Sequence, residues 1–168
     1  MTTRKSTAIL FGILVTSVWV LGSAIQVGAE TMNYKVYNSV IKVERVPISD
    51  VQEHTVGFEM RKGISVFENG EVATHTSVST SDLINMSGPF TMYVTINFQD
   101  GSTIVYKSQG TRGGQGSGFT SEILKGTGRF EGIKGTQSGK VKYLPVETGE
   151  AGPKTYGEAT ITYTLPKK

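Results

Sequence analysis

The sequence predicts an all-β protein, most simply an eight-stranded antiparallel up-and-down barrel, and three observations support this fold class. Apolar and polar residues alternate with a period of two in several segments, as in strands that bury one face. Asn-Gly and Asp-Gly pairs separate such segments and are strong hairpin signals. Beyond residue 29, no window of about 11 residues shows a convincing helical period. A two-sheet β-sandwich is the alternative architecture.

The clearest strand is FTMYVTINF, from Phe90 to Phe98, in which every second residue is apolar. Near the C-terminus EATITYTL repeats the pattern, with Ala159, Ile161 and Tyr163 on one face and threonines on the other. Closing eight such strands into a barrel removes exposed sheet edges without a disulfide. Strands are predicted at residues 34–45, 54–67, 71–84, 89–98, 102–111, 118–125, 138–146 and 155–165.

The predicted turns agree with this strand list. Asn69-Gly70 and Asp100-Gly101 each lie between two alternating segments. Both pairs predict type I′ turns, which need positive φ at two successive residues. A short helical turn is expected only near residues 47–52, after Pro47 ends the first strand.

The N-terminal residues 1–29 predict a secretory signal peptide. Arg4 and Lys5 precede an apolar run from residue 8 to 25, and Val27 and Ala29 supply the small residues of a cleavage site after Ala29. A retained membrane anchor is the alternative, since the run is long enough to span a bilayer. We expect a single β-barrel domain at residues 30–168, secreted or periplasmic, with no membrane association after cleavage.

Charge and cysteine content limit the possible functions. Without residues 1–29 the 168-residue chain becomes 139 residues, with 15 basic residues (17 less Arg4 and Lys5) against 14 acidic ones. This near-neutral domain gives no electrostatic basis for nucleic-acid binding. The chain has no cysteine, which excludes disulfides, thiol catalysis and cysteine-based metal sites. The two histidines make a weak zinc pattern, so neither a metal nor a cofactor is predicted.

A glycine-rich stretch, GTGRFEGIKG, begins at Gly126 and has the character of a barrel corner. No helix follows it, as a dinucleotide-binding motif would require, and its spacing does not fit a phosphate-binding loop. The glycines permit a tight reversal between two late strands, and Phe130 is positioned to plug one end of the barrel.

This corner resembles that of the allene oxide cyclase-like barrels and their dirigent relatives, specifically a small exported bacterial member. The resemblance implies an eight-stranded barrel, a superfamily of cyclases and stereochemistry-directing proteins, and a possible homo-oligomer. Plant allene oxide cyclases carry a Val-Tyr-Glu segment with a catalytic glutamate, but the chain has Val36-Tyr37-Asn38 there. Asparagine cannot act as a carboxylate, so that activity does not carry over. The corner matches at Gly126, Gly128, Phe130, Gly132 and Gly135.

The interior of an eight-stranded barrel is either filled by side chains or holds one small ligand. If the apolar strand faces point inward, the lumen suits a small apolar molecule, and a plain packed core is the alternative. The predicted ligand-binding residues are Phe58, Met60, Phe90, Met92, Val94, Ile96 and Ile161.

Three residues are candidate catalytic groups, each able to give a substrate one polar contact: Asn38, His54 and Tyr163. His54 is in phase with Phe58 and is expected at one mouth of the barrel, where it could exchange protons. Asn38 is expected in the lumen, where it would need a polar partner such as Tyr163. Glu59 and Arg61 are expected to form an exposed pair, which becomes a buried polar pair if the strand phase is reversed. His75 is expected at the surface.

Three functions fit this sequence. The first is a binding protein that holds a small apolar molecule in the lumen. The second is a cyclase or isomerase acting on a polyunsaturated or oxylipin-like substrate, mainly by shaping it. The third is a structural or assembly role that uses one outer face, although the threonine-rich strands predict no large apolar patch.

Overall fold

A computed structural model describes residues 28–167. Eight antiparallel strands form a closed barrel in which each strand pairs with its neighbour in sequence and the last pairs with the first. The only helix in this range is a 3-10 turn at Gly128–Phe130, so no helix there is long and apolar enough to cross a membrane. The strands are β1 Glu30–Pro47, β2 His54–Phe67, β3 Val72–Ile84, β4 Gly88–Asn97, β5 Thr103–Gly113, β6 Gly116–Thr127, β7 Lys134–Tyr143 and β8 Thr155–Thr164.

The predicted barrel is confirmed, and the strand bounds differ mainly at β1 and β7. β1 begins at Glu30 because its first residues pair with β8, from Glu30 opposite Tyr163 onward. β7 begins at Lys134, directly after the glycine corner. The helical turn expected near residues 47–52 is wrong, because bends connect β1 to β2 and Ile48 N–H donates to the His54 carbonyl at 3.0 Å. Most of the predicted signal peptide, residues 1–27, lies outside the described residues.

The two predicted hairpins are present, but they are not type I′ turns. Gly70 and Gly101 have φ of 85° and 81°, whereas the residue before each glycine does not have positive φ. Phe67 N–H donates to the Glu71 carbonyl at 2.9 Å, and Gly70 N–H donates to the Phe67 carbonyl at 3.0 Å. These bonds define a three-residue loop with glycine in the left-handed region, the second common hairpin geometry. The Gly101 turn has the same pattern.

Two β-bulges change which residues face the lumen. The β1–β2 register shifts between Val40 and Lys42, which leaves Ile41 as the extra, exposed residue. Before the bulge, even-numbered residues such as Val36 face inward. After the bulge, odd-numbered residues face inward. Arg45 therefore reaches the lumen side, where its guanidinium lies 3.8 Å from the Glu59 carboxylate. In β6 a second register shift, opposite Val105 and Tyr106 of β5, leaves Leu124 as an extra, exposed residue.

Aromatic side chains close one end of the barrel. The Phe130 ring lies 4.8 Å from Phe98 and 6.2 Å from Tyr163, and Phe67 continues the cluster at 5.3 Å from Phe98. Phe130 is buried, which confirms it as the plug of this end. The Arg129 guanidinium covers the cluster from outside, 4.6 Å from the Phe98 ring centre, where cation–π attraction adds to packing.

The glycine corner is needed to place this plug. A Cβ on Gly126 would lie 2.2 Å from the Phe130 carbonyl oxygen. Gly128 has φ of 62°, and a Cβ there would also lie 2.4 Å from the Ser102 hydroxyl. Any larger residue at these two positions would push the 3-10 turn, and Phe130 with it, out of the barrel end.

The outer face carries several exposed apolar side chains, and some of them form a row across β2 to β4. Met60 pairs with Val78, and Val78 pairs with Tyr93. Val78 is 40% exposed and Tyr93 is 50% exposed. This row was not expected from the threonine-rich strand faces.

We expect Phe130→Ala to lower the free energy of unfolding by about 3–5 kcal/mol, because it opens a cavity among buried rings. Tyr93→Ala is the matched control, since it removes an exposed aromatic ring and should cost no more than about 1 kcal/mol. Urea denaturation measures both values. Equal losses would show that Phe130 does not act as a plug.

Candidate functional site

A cavity of about 70 Å³ lies in the lumen, and all eight strands contribute to its lining. Part of its wall is apolar, and three polar groups interrupt that wall: an arginine–glutamate cluster, a histidine–asparagine pair and a tyrosine pair. The aromatic end is filled by Phe67, Phe98 and Phe130, none of which lines the cavity. The apolar lining consists of Val36, Phe90, Met92, Val94, Phe119 and Val141.

The arginine–glutamate cluster surrounds one carboxylate with three guanidinium groups. Arg61 Nε donates to Glu59 Oε1, and Arg112 donates to both carboxylate oxygens at 3.3 and 3.4 Å. Arg45 approaches from β1 at 3.8 Å, and Arg61 also donates to the Pro153 carbonyl at 3.2 Å. Glu59, Arg61 and Arg112 all line the cavity.

The charge state of Glu59 follows from these neighbours. Burial alone would raise the pKa of this carboxyl, but attraction and hydrogen bonding from Arg61 and Arg112 hold the pKa below its usual range. Glu59 is therefore ionised at neutral pH. Counting Arg45 as well, the cluster has three positive charges and one negative charge, an excess of two positive charges.

The second polar group is His75 with Asn38 and Ser65. His75 Nε2 contacts Asn38 Oδ1, which can only accept, so Nε2 carries the hydrogen. His75 Nδ1 is then bare and accepts from the Ser65 hydroxyl at 3.1 Å. Asn38 uses its amide hydrogens on Thr155 Oγ1 at 3.2 Å. The histidine is thus held in one orientation and one tautomer.

His75 is only 3% exposed, and this burial lowers the pKa of its imidazole to about 4. The pKa falls because a buried imidazolium loses hydration and has no carboxylate among its hydrogen-bond partners. His75 is therefore neutral at physiological pH.

The third polar group is a pair of buried tyrosines, Tyr34 and Tyr106, whose hydroxyl oxygens lie 3.3 Å apart. Gln137 donates to the Tyr34 hydroxyl at 2.6 Å, and the Gln137 carbonyl accepts from Ser121. Burial raises the pKa of Tyr34 to about 12 and the pKa of Tyr106 well above its usual value, so both phenols keep their protons. The contact between the two oxygens uses only one of the two hydroxyl hydrogens. Within residues 28–167 the other hydroxyl hydrogen has no side-chain acceptor.

The structure separates the seven predicted ligand-binding residues into three sets. Phe90, Met92 and Val94 line the cavity. Ile96 and Ile161 face inward but belong to the packed core beside it. The expectation for the last two, Phe58 and Met60, is wrong because β2 has the opposite phase: Glu59 and Arg61 point inward, so these apolar neighbours lie on the outer face.

The three predicted catalytic residues do not come together. Of the three, only Asn38 lines the cavity, and its partners are Thr155 and His75 rather than a tyrosine. His54 lies at the start of β2 in the outward phase, and its two ring nitrogens contact Asp50 at 2.5 Å and Asp82 at 2.7 Å. Tyr163 lies in the aromatic end and donates to Glu30 at 2.7 Å.

Sequence reasoning missed His75 and did not place Arg112. His75 was expected at the surface because it is in phase with Ala73 and Ser77 on a polar stretch that also includes Ser79. In the narrow lumen these small serines leave room for larger side chains from other strands, while the β-branched residues of β3 face outward. The available sequence signal was side-chain size rather than polarity. Along β3, small inward residues such as Ser77 and Ser79 alternate with bulkier threonine and valine residues that face outward.

Gly63 makes room for the histidine. It pairs with both Asn38 and His75, and a Cβ at this position would lie 2.7 Å from His75 Nε2. Across the described residues no three histidine, cysteine or acidic side chains gather in a way that could hold a metal ion.

No protein-family model and no curated protein matches the sequence. Among solved structures, a pterocarpan synthase dirigent protein is similar at 15% identity, covering 83% of this chain and 92% of its own, with a TM-score of 0.53. The fold is dirigent-like. A protein of unknown function from the DUF3224 family of Shewanella oneidensis is similar at 13% identity, covering 84% of this chain and 100% of its own, with a TM-score of 0.55. At these identities the likeness concerns the fold alone.

We expect the pH dependence of stability to report His75. Its pKa falls from 6.5 to about 4 on folding, so its destabilising effect is absent above pH 6.5 and grows as the pH falls towards 4. The full shift corresponds to about 3 kcal/mol. His75→Gln should reduce the loss of unfolding free energy between pH 7 and pH 4 by about that amount, measured by urea denaturation.

His54 is a control for His75, because its pKa shifts in the opposite direction on folding. Its hydrogen bonds to the Asp50 carboxylate and then to Asp82 raise the pKa of His54, so the stability that it contributes is present below pH 6.5 and is lost as the pH rises through its folded pKa. An NMR titration of the two imidazoles should therefore show His75 titrating well below 6.5 and His54 above it. A normal pKa for His75 would contradict its burial in the lumen.

Proposed function

We propose that the barrel is a binding protein that holds a small, mainly apolar molecule in its lumen. The observation that carries this proposal is the lumen cavity, which lies beside a fully packed aromatic end and has an apolar wall on β1, β4, β6 and β7. An apolar wall with a few fixed polar groups is the usual composition of a small-molecule site. Export to the periplasm or the exterior, with removal of residues 1–29, is part of the same proposal.

The size of the cavity limits the guest. A buried water needs roughly 10–15 Å³, so about 70 Å³ corresponds to roughly five waters. An engineered cavity that binds benzene has about 150 Å³. The undisturbed lumen therefore suits a short aliphatic group, and a single ring would require movement of flexible lining residues such as Met92. A longer molecule could insert only one end.

The polar groups orient the guest. One hydroxyl hydrogen of the Tyr34–Tyr106 pair has no side-chain acceptor within residues 28–167, and both residues line the cavity. A guest with a carbonyl, ether or hydroxyl oxygen at its inserted end would accept this hydrogen. Such a bond is favourable because a buried donor without a partner is costly.

The test is to fill the lumen. Met92→Trp places a large ring in the cavity, whereas Met60→Trp places the same ring on the outer face and is the matched control. We expect Met92→Trp to abolish the binding of butanamide and benzamide seen by saturation-transfer NMR, while Met60→Trp keeps it. Circular dichroism checks that both variants fold. Binding that persists in a folded Met92→Trp barrel, or is absent from the parent protein, would refute a ligand-binding lumen.

Native mass spectrometry of the protein from its own host complements this test. A bound mass that is released on denaturation, is present in Met60→Trp and is missing from Met92→Trp would identify the guest. The same spectrum gives the mass of the mature N-terminus and the number of subunits, which tests signal cleavage and a homo-oligomer.

A second candidate is an isomerase or cyclase, favoured by the neutral His75 held beside Asn38 in the lumen. The bare Nδ1 of His75 can accept a proton once Ser65 moves, and shape-driven catalysis needs few charged groups. One barrel of similar fold is a pterocarpan synthase. A polyunsaturated or oxylipin-like substrate would insert only part of its chain.

His75→Gln separates the two candidates. Glutamine retains hydrogen-bonding groups of similar reach but is not a proton acceptor at neutral pH. We expect an enzyme to lose about 100-fold or more in turnover of such a substrate, since general acid–base catalysis typically contributes that much, with amide binding retained. Turnover equal to the uncatalysed rate in the parent protein would exclude this candidate.

A further inference from the structure

The arginine–glutamate cluster has more donors than its carboxylate can use. Arg112 is nearly buried, with a side chain that is 10% exposed. Its Nε is fully buried and has no hydrogen-bond partner among the described residues. Its bonds to Glu59, at 3.3 and 3.4 Å, are longer than the 2.7–2.9 Å usual for charge-assisted pairs. Arg112 lines the cavity, and its guanidinium has one buried donor without a partner and two donors that are only weakly engaged.

The charges around the cluster are also unbalanced. Glu59 is the one acidic side chain bonded to Arg45, Arg61 and Arg112 within residues 28–167. His75 is neutral, and Asn38, Ser77 and Ser79 on the neighbouring strands are uncharged. Arg61 and Arg112 are buried beside one carboxylate, whereas Arg45 is partly exposed, so one buried positive charge is unbalanced. Burying such a charge costs several kcal/mol unless an anion accompanies it.

An anion placed here would contact the apolar wall as well. Arg112, at the end of β5, pairs with Ser117, and Arg112 and Phe90 line the same cavity. An inorganic anion would contact only the arginines, whereas an apolar molecule with one acidic end would contact both the arginines and the apolar wall. A planar carboxylate matches the fork of a guanidinium in shape and accepts two parallel hydrogen bonds.

We propose that Arg112 forms a carboxylate subsite, so that the guest of the lumen is a small apolar monocarboxylic acid rather than a neutral molecule. This inference rests on the proposed binding function and names its ligand class. The carboxylate meets Arg112 Nε and a terminal nitrogen of the same guanidinium, the apolar part lies against Met92 and Phe90, and Glu59 competes for the same donors.

Matched probes test this proposal on the whole protein. Butanoate with butanamide, and benzoate with benzamide, are pairs of nearly equal shape in which only the first member is an anion. Methyl-labelled methionine provides the readout by NMR, because Met92 lines the lumen and Met60 lies outside. We expect each acid to shift the Met92 methyl signal and to bind about tenfold tighter than its amide or better, while the Met60 signal stays in place.

Three variants establish the role of the cluster. Arg112→Met should remove the preference for the acid, so that each acid binds no more tightly than its amide. Glu59→Gln should strengthen acid binding about tenfold, because it removes the competing carboxylate. Arg129→Met, at the aromatic end of the barrel, should change neither. If Arg112→Met fails to fold, the gain in Glu59→Gln still decides the question.

The outcomes distinguish the subsite from the binding function. Equal affinities for acid and amide in the parent protein would overturn the carboxylate subsite and leave the ligand-binding lumen intact. An acid preference that survives Arg112→Met in a folded barrel, or a weakening in Glu59→Gln, would also overturn the subsite. Binding of neither acid nor amide would overturn both proposals.

Discussion

Closure of the sheet between β1 and β8 is the constraint on which the rest of the structure depends. Nine residue pairs join these strands, from Glu30 opposite Tyr163 to Asn38 opposite Thr155. With this seam every strand has two partners, and no edge remains that a disulfide or a covering helix would have to protect. Eight strands also fix a lumen just wide enough for side chains or one small guest. The chain therefore has to divide this limited interior between packed side chains and open space.

It makes that division along the barrel axis. At one end Phe67, Phe98 and Phe130 fill the lumen, and the glycine corner and Arg129 hold them from outside. Towards the other end, inward positions carry serine, asparagine, histidine and arginine, and a cavity remains among them. Packing at the first end offsets the cost of burying charge at the second. This arrangement lets a cysteine-free domain keep an ionised cluster inside its core.

The sequence was sufficient for the fold class and insufficient for the lining of the lumen, for a physical reason. A period of two and glycine turns specify strands and hairpins whichever face points inward. In β4 and β8 one face is clearly apolar, so the inward residues Phe90, Met92 and Ile161 could be predicted. In β2 both faces mix apolar and polar residues, and the apolar Phe58 and Met60 lie outside while Glu59 and Arg61 lie inside.

That reversal is not readable from β2 alone, because it depends on partners contributed by other strands. Arg112 comes from β5, Arg45 from the far side of a bulge, and Pro153 from the last loop. A buried pair of charges is tolerable only when all of these partners are in place. The same holds for His75, whose partners Asn38 and Ser65 lie on β1 and β2. The glycine corner, by contrast, acts locally and was recognisable from its own residues.

The bulge at Ile41 has a consequence for how such a barrel can change over evolutionary time. Because it reverses the in-and-out alternation for the remainder of β1, gain or loss of a single residue there would exchange Val43 and Arg45 for their neighbours Lys42 and Glu44 on the lumen side. One insertion or deletion could thus replace the arginine on this wall by a lysine and a glutamate, which changes the net charge of these positions from +1 to zero, while the preceding half of the strand keeps its pairing with β8. A bulged strand therefore allows the lining of the lumen to change in one step, without gradual replacement of side chains.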